Sequence, residues 1–216
     1  MMICPCWDGR PGKQLERKDD MSVSIKKSMA GSVLFFLVLY SGIAFAQHSH
    51  EHSTVPTGGS QDQQLMDELK GINGKQAMEL ANKWRQKNLD IMSFVTPDAV
   101  NFKFKDGKTI SVPLPADQMV VSVAPYISYT HECATHYMSK CDGELKKVPI
   151  KVRAVTAGGK TLINKTLKTP STGFFDLWLP RDQEITISVN ALGKKATGKI
   201  YTYRNSKTCD TTLKLK

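Results

Sequence analysis

The sequence has 216 residues, which is enough for one domain or two small ones with a sizeable core. Its formal net charge is +10. Positive charge suits nucleic acid, but the basic residues beyond position 145 are spread singly through strand-like sequence, without a dense cluster or a ladder of aromatic residues. We therefore interpret them as solvated faces and expect no nucleic-acid partner. No Gly-rich phosphate loop, HExxH motif or Ser/His/Asp set indicates a nucleotide-binding protein or a hydrolase.

Residues 1–46 have the pattern of an export signal with an extension before it. Lys26–Lys27 lie ahead of an apolar run over residues 30–46, which is too short to span a bilayer and ends in the small residues of a cleavage site. We expect a signal over residues 21–46, cleavage after Ala46, location in the periplasm and no membrane span.

Residues 47–61 combine histidines with Ser, Thr, Pro and Gly and have no apolar periodicity, so we expect a disordered tail. The alternate histidines His48, His50 and His52, with an α-amine nearby, are suitable ligands for Cu(II). The alternative is a solvated tail without a metal.

Two amphipathic helices are predicted between Asp62 and Val95, where apolar residues recur at spacings of three and four. Gly71 and Gly74 separate the two helices. Three methionines at core-facing helical positions are interpreted as packing residues rather than copper ligands. They are Met66, Met78 and Met92.

A β-hairpin is predicted after the helices. Apolar and polar residues alternate over residues 100–104, and Asp106-Gly107 turns the chain into a second strand at residues 110–112. A further strand is predicted over residues 119–128. The helices and the hairpin form one module, residues 62–125.

The remaining sequence, residues 126–216, is almost entirely of β type. Six short strands between Gly and Pro turns predict an antiparallel sandwich or a partly open barrel, and we favour a prealbumin-like β-sandwich. The predicted strands are Val148–Val155, Thr161–Thr166, Gly173–Leu179, Glu184–Asn190, Gly198–Tyr203 and Thr211–Leu215. The predicted fold class is therefore α+β, a small N-terminal helical module with a β-hairpin followed by this sandwich domain.

The densest chemistry lies in residues 130–143, where two thiols, two imidazoles and a thioether fall within eleven residues. A straight helix would hold the two thiols about 12 Å apart, whereas sulfurs on one metal ion lie within about 4 Å of each other, so the segment must fold back as a loop. The candidate ligands are Cys133, His136 and Cys141, with His131 and Met138 as further candidates.

Cys209 is the third thiol beyond the signal and completes the candidate site if the sandwich brings it to the loop. Three thiols cannot all pair within one molecule, and a structural disulfide leaves the neighbouring histidines unexplained. Soft sulfur and imidazole ligands favour Cu(I). Zn(II) is the competitor, because three thiolates and one imidazole also make an ordinary zinc site. The predicted metal ligands are Cys133, His136, Cys141 and Cys209.

The two loop cysteines lie eight residues apart, and the third follows sixty-eight residues later. The full pattern consists of Cys133, His136, Cys141, Gly143-Glu144-Leu145 and Cys209, with the upstream segments Val112–Pro115 and Met119–Ile127. This pattern resembles CueP, a family of periplasmic copper-resistance proteins of enteric bacteria. The resemblance implies a two-domain copper-binding protein that limits copper toxicity, can pass copper to a Cu,Zn superoxide dismutase and tends to form a homodimer.

The resemblance also implies thiols that move between disulfide and copper-bound forms. We expect the thiols to supply electrons for reducing Cu(II), after which a thiol-disulfide reductase restores them, so the chain is a binding protein rather than an enzyme. Cys141 and Cys209 are the expected disulfide pair, because Cys209 lies between strands and could attach the loop to the sandwich. The alternatives are a thiol-disulfide oxidoreductase, which the lack of a Cys-x-x-Cys pair disfavours, and a zinc-binding or disulfide-stapled β-domain.

Overall fold

The computed structural model of the chain describes residues 59–216. The predicted export signal, its cleavage site after Ala46 and the histidines His48, His50 and His52 lie outside the described residues. Within the described part, no helix combines the length and the apolar character needed to cross a membrane.

Two helices open the described part: α1, Gly59–Glu68, and α2, Gly74–Gln86. A capping box begins α2, since the Asn73 side chain accepts a hydrogen bond from Gln76 N–H at 3.1 Å and the Gln76 side chain accepts one from Asn73 N–H at 2.9 Å. One face of α2 is buried, as its periodicity predicts. The buried side chains on this face are Ala77, Met78, Ala81 and Trp84.

Three antiparallel strands form the first sheet, in the order β1 (Met92–Val95), β2 (Ala99–Lys103) and β3 (Thr109–Pro113). The pairing of β2 with β3 confirms the predicted hairpin. The helical assignment of Met92 is wrong, because this half-buried residue lies on β1. Asn88, with a φ of 55°, takes the left-handed conformation that ends helices, and the chain is already extended at Met92.

The helices and the first sheet share one apolar cluster, in which Met66 and Met78 are buried as predicted. A Cβ atom at Gly74 would lie 2.8 Å from the carbonyl oxygen of Pro113. The close approach of α2 to β3 therefore requires glycine at the start of the helix.

The remaining seven strands form two sheets, one in the order β10-β4-β7 and one in the order β6-β5-β8-β9. Their inward side chains belong to a single apolar core, so the two sheets face each other as a sandwich. The strands are β4 (Gln118–Val123), β5 (Pro149–Thr156), β6 (Thr161–Lys168), β7 (Phe175–Pro180), β8 (Glu184–Ala191), β9 (Lys194–Tyr201) and β10 (Cys209–Asp210).

The strand β4 is buried on both faces. Met119, Val121 and Val123 belong to the sandwich core, whereas Val120 belongs to the cluster of the helices. β4 precedes the predicted domain boundary at residue 125, yet it pairs with β7 and β10. The division into residues 62–125 and 126–216 stays a prediction.

The end of the chain differs from the prediction. In place of a strand over Thr211–Leu215, the two-residue strand β10 pairs in parallel with β4 at Ser122 and Val123, so the sandwich is not wholly antiparallel. Leu213 and Leu215 are buried at alternate positions of this segment, but such alternation does not identify a strand's partner. The α+β class is confirmed, and the prealbumin-like form stays a prediction.

Candidate metal centre

The loop over residues 130–143 brings its two cysteines together. The sulfurs of Cys133 and Cys141 lie 3.7 Å apart. Two sulfurs on one ion, each at about 2.3 Å, are separated by about 3.8 Å in tetrahedral and about 4.0 Å in trigonal coordination. A disulfide would need about 2.05 Å, and Cys133, Cys141 and Cys209 are all thiols here.

In each of two overlapping groups of side chains, the ligand atoms lie within 4.8 Å of one another. One group is His131, Cys133 and Cys141, and the other is His136, Cys141 and Cys209. Cys141 is common to both, so it stands at the centre of the cluster. All four predicted ligands and the further candidate His131 therefore converge in the fold.

The backbone around His136 is fixed by two distant segments. Val95 N–H on β1 donates to the His136 carbonyl oxygen at 2.9 Å, and His136 N–H donates to Thr208 Oγ1 at 3.1 Å. The Thr208 hydroxyl in turn donates to the Val95 carbonyl oxygen at 2.7 Å. These three bonds tie the first sheet, the metal loop and the residue before Cys209 to one another.

Arg85 clamps the loop from α2. Its guanidinium donates to the carbonyl oxygens of Met138, at 3.0 Å, and Cys141, and forms an ion pair with Asp142 at 3.2 Å. The Arg85 side chain is only 21% exposed. A planar fork of donors suits these three acceptors, so α2 sets the position of the central cysteine.

A second clamp, formed by Glu144, holds the segment that leads into the loop. The Glu144 carboxylate accepts hydrogen bonds from the backbone N–H groups of Ile127, Ser128 and Tyr129, at 2.7, 3.0 and 3.3 Å. Partial burial raises the pKa of Glu144, but these bonds outweigh it and leave the pKa below its ordinary value. The turn that leads into His131 is thereby fixed to the end of the loop.

The thiols differ in acidity. Hydrogen bonds from the Cys133 and Cys209 thiols hold the pKa of Cys141 well below that of an ordinary cysteine, against the effect of burial and with help from His136. The neighbouring Cys133 and Cys141, together with burial, raise the pKa of Cys209. Cys141 is therefore the first thiolate to form, and a thiolate is the ligand that a soft cation needs.

The two histidines each present a buried ring nitrogen. Among the described residues, Nε2 of His131 and Nδ1 of His136 are buried without a hydrogen-bond partner. Buried polar atoms are rarely left unpaired, so these nitrogens fit a site that takes a metal ion. The His136 ring packs against Phe174, with 4.6 Å between ring centroids, which fixes its orientation.

Met138 is the remaining candidate ligand of the loop. Its side chain is 1% exposed and belongs to the apolar cluster of the helices, and its role as a metal ligand stays a prediction. Sequence reasoning assigned no role to Arg85, Glu144 or Thr208, although Glu144 follows the loop directly. Arg85 precedes the loop by many residues and Thr208 follows it by many, so only the fold brings these two residues to the loop.

Comparisons with known proteins identify the family of this chain. A family model described as "Periplasmic copper-binding protein CueP" matches residues 76–214, which include the three thiols. A solved structure, described as "Crystal Structure of S.CueP", is 28% identical with a TM-score of 0.66, and the match covers 74% of this chain and 99% of that chain. The curated proteins gave no match. Since the family model spans more than half of the sequence, this chain belongs to the CueP family of periplasmic copper-binding proteins.

Proposed function

We propose that this chain holds copper as Cu(I) in the periplasm, with Cys133, Cys141 and Cys209 as sulfur ligands and His136 as a further ligand. The 3.7 Å separation of the Cys133 and Cys141 sulfurs carries this proposal, because thiols so close without a bond are spaced for a shared ion. Family membership supports copper as that ion. His131, whose ring lies close to Cys133 and Cys141, is the alternative imidazole ligand.

Zn(II) is the competing ion. A tetrahedral site of three thiolates and one imidazole is ordinary for zinc, and a separation of 3.7 Å also fits it. Cu(I) is favoured because sulfur ligands suit a soft monovalent ion that accepts three-fold coordination.

The same thiols can reduce copper. Two thiolates that join in a disulfide release two electrons, which convert two Cu(II) ions into two Cu(I) ions. Cys141 and Cys209 are the pair that we propose for the disulfide, since both are buried while Cys133 is half-buried and remains available for exchange. A thiol-disulfide reductase must then return the pair to thiols. In this scheme the chain consumes its own thiols, so it is a binding protein rather than an enzyme.

The wider role follows from holding copper in a buried sulfur site. Copper kept in this way is withdrawn from damaging reactions, which contributes to copper resistance, and it can be supplied to a periplasmic Cu,Zn superoxide dismutase. We also propose that the chain acts as a homodimer and that His48 and His50 help to capture Cu(II).

An anaerobic competition titration against a chromogenic Cu(I) chelator tests the site. Changing Cys133, Cys141 or Cys209 to Ser should lower the Cu(I) affinity more than about a hundredfold, because even outer-shell changes at metal sites cost about 10- to 100-fold. S139A is the control, since the Ser139 hydroxyl contacts Ser93 backbone atoms. Wild-type affinity in all three cysteine variants would reject the thiolate site, and displacement of Cu(I) by stoichiometric Zn(II) would favour zinc.

A further inference from the structure

A groove of about 500 Å³ reaches the metal centre from the surface. Cys133 and Cys209 belong to its lining, and its outer part is formed by the end of β9 and the segment that follows. We call it the exchange groove. Cys141 and Cys209 are 2% and 1% exposed, so an outside ligand needs such an opening to reach bound metal. The outer lining of the groove includes Tyr201, Tyr203, Asn205 and Lys207.

Two tyrosines at the mouth of the groove are exposed and stacked. Tyr201 and Tyr203 are 43% and 46% exposed, and their ring centroids lie 6.2 Å apart with an angle of 25° between the planes. Exposed aromatic rings are enriched in protein interfaces, where they supply contact area at a small entropic cost. An exposed aromatic pair beside a buried metal site is therefore suited to receive a partner.

The mouth of the groove is positively charged. Lys199 and Lys207 in the lining are exposed, and so is Arg204, which follows Tyr203 in the sequence. These three cations exceed the two nearby carboxylates, Glu184 and the lining residue Asp210, by one charge, and Glu184 is paired with Lys199 at 2.6 Å. An anionic partner is thus favoured by charge complementarity.

We propose that the exchange groove is the docking surface at which a copper-accepting protein presents an acidic segment with a copper ligand. This assignment rests on the proposed function, because it needs bound Cu(I). Cys133 is the first sulfur to be replaced, since it lines the groove and is less buried than the other two. One bond from copper to the acceptor forms, then the bond from copper to Cys133 breaks, and the metal stays Cu(I) throughout.

The test measures the rate at which a chelator removes Cu(I) from the loaded, mature protein in an anaerobic stopped-flow instrument. Bathocuproine disulfonate is the anionic aromatic probe, and neocuproine is an uncharged probe with the same dimethylphenanthroline core. K207E should slow the anionic probe about fivefold at low salt, less at 1 M salt, and leave neocuproine unchanged. The Y201A/Y203A double variant should slow both probes, and N205W, which fills the mouth of the groove, should slow both about tenfold.

The controls are K165E on β6 and Y129A, whose ring is 62% exposed outside the groove lining. All variants should keep the wild-type Cu(I) affinity. Wild-type rates in the groove variants would reject the groove as the route of exchange while leaving the metal site intact. A lowered affinity in K207E or N205W would also reject it, because these residues would then support the site itself. A wild-type protein that takes up no Cu(I) would reject the proposed function.

Discussion

At the scale of single residues, Glu144 makes the metal loop sensitive to acid. Because its folded-state pKa is lowered, its stabilisation is present above the unfolded-state pKa of about 4.3 and is lost as the pH falls through the folded-state value. E144Q should lower the free energy of unfolding of the metal-free protein at pH 7 by about 1–3 kcal/mol.

Urea denaturation at neutral and acidic pH checks this expectation. The difference between wild type and E144Q should shrink once the pH falls below about 4, since the protonated Glu144 then resembles glutamine. E79Q, on an exposed position of α2, is the matched control and should leave the stability at pH 7 unchanged. A difference that stays constant with pH would contradict the role of the charge.

Arg85 positions Cys141 by donating to three oxygen atoms of the metal loop, and lysine cannot replace it. A lysine offers one compact charge in place of a planar fork, so R85K should lower the free energy of unfolding by about 1–3 kcal/mol and also weaken Cu(I) binding about tenfold. The matched control is R181K. Arg181 is 20% exposed and donates to the Pro97 carbonyl oxygen at 2.9 Å.

Chemical denaturation and the Cu(I) competition titration together distinguish the effects of R85K and R181K. R181K should lose stability but keep the Cu(I) affinity, because Arg181 binds Pro97 and not the metal loop. Equal Cu(I) affinity in R85K and wild type would show that Arg85 stabilises the fold without positioning the site.

At the scale of elements, the metal loop depends on two glycines in contact. Gly173 has a φ of 73°, and a Cβ atom there would lie 2.6 Å from the Gly143 carbonyl oxygen. Gly159 has a φ of 84°, but nothing lies within 4 Å of its Cβ position. G159A should therefore cost about 1 kcal/mol for the backbone conformation alone, whereas G173A adds a clash with the end of the loop.

Thermal or urea denaturation of the two variants measures this difference. G173A should be less stable than G159A by about 1–3 kcal/mol, and only G173A should weaken Cu(I) binding, since Gly143 closes the loop that carries Cys141. Equal losses of stability would mean that the loop moves away from the added methyl group without cost.

The helices and strands that depend on a local sequence pattern were predictable from the sequence. The period of the apolar residues predicted both helices, and Asp106-Gly107 predicted the hairpin that β2 and β3 form. The short strand β1 and the parallel pairing of β10 were not predictable, because they depend on partners far away in the sequence. The residue types and spacing around Cys141 predicted a cluster of ligands. The Arg85 clamp was not predictable, since 56 residues separate Arg85 from that cysteine.

At the scale of the whole molecule, oxidation and metal binding should exclude each other. A sulfur in a disulfide has lost the thiolate that Cu(I) needs, so protein with one disulfide per chain should bind Cu(I) at least about a hundredfold more weakly than the reduced protein. Treatment with a reductant should restore binding. Oxidised protein that holds Cu(I) as tightly as reduced protein would place the copper elsewhere.

Peptide mapping of the oxidised protein under acid quench identifies the bonded pair. We expect Cys141 joined to Cys209, which would attach the metal loop to β10 and leave Cys133 for thiol exchange. A bond between Cys133 and Cys141, whose sulfurs lie 3.7 Å apart in the thiol form, would reject this pairing but not the competition with copper.

X-ray absorption spectroscopy of the anaerobic, Cu(I)-loaded protein without residues 1–46 tests the central claim most directly, because it counts the neighbours of the metal. A site built from Cys133, Cys141 and Cys209 predicts about three sulfur neighbours at about 2.3 Å, with at most one nitrogen from an imidazole. Copper surrounded mainly by nitrogen or oxygen atoms would contradict the assignment of these three cysteines as its ligands.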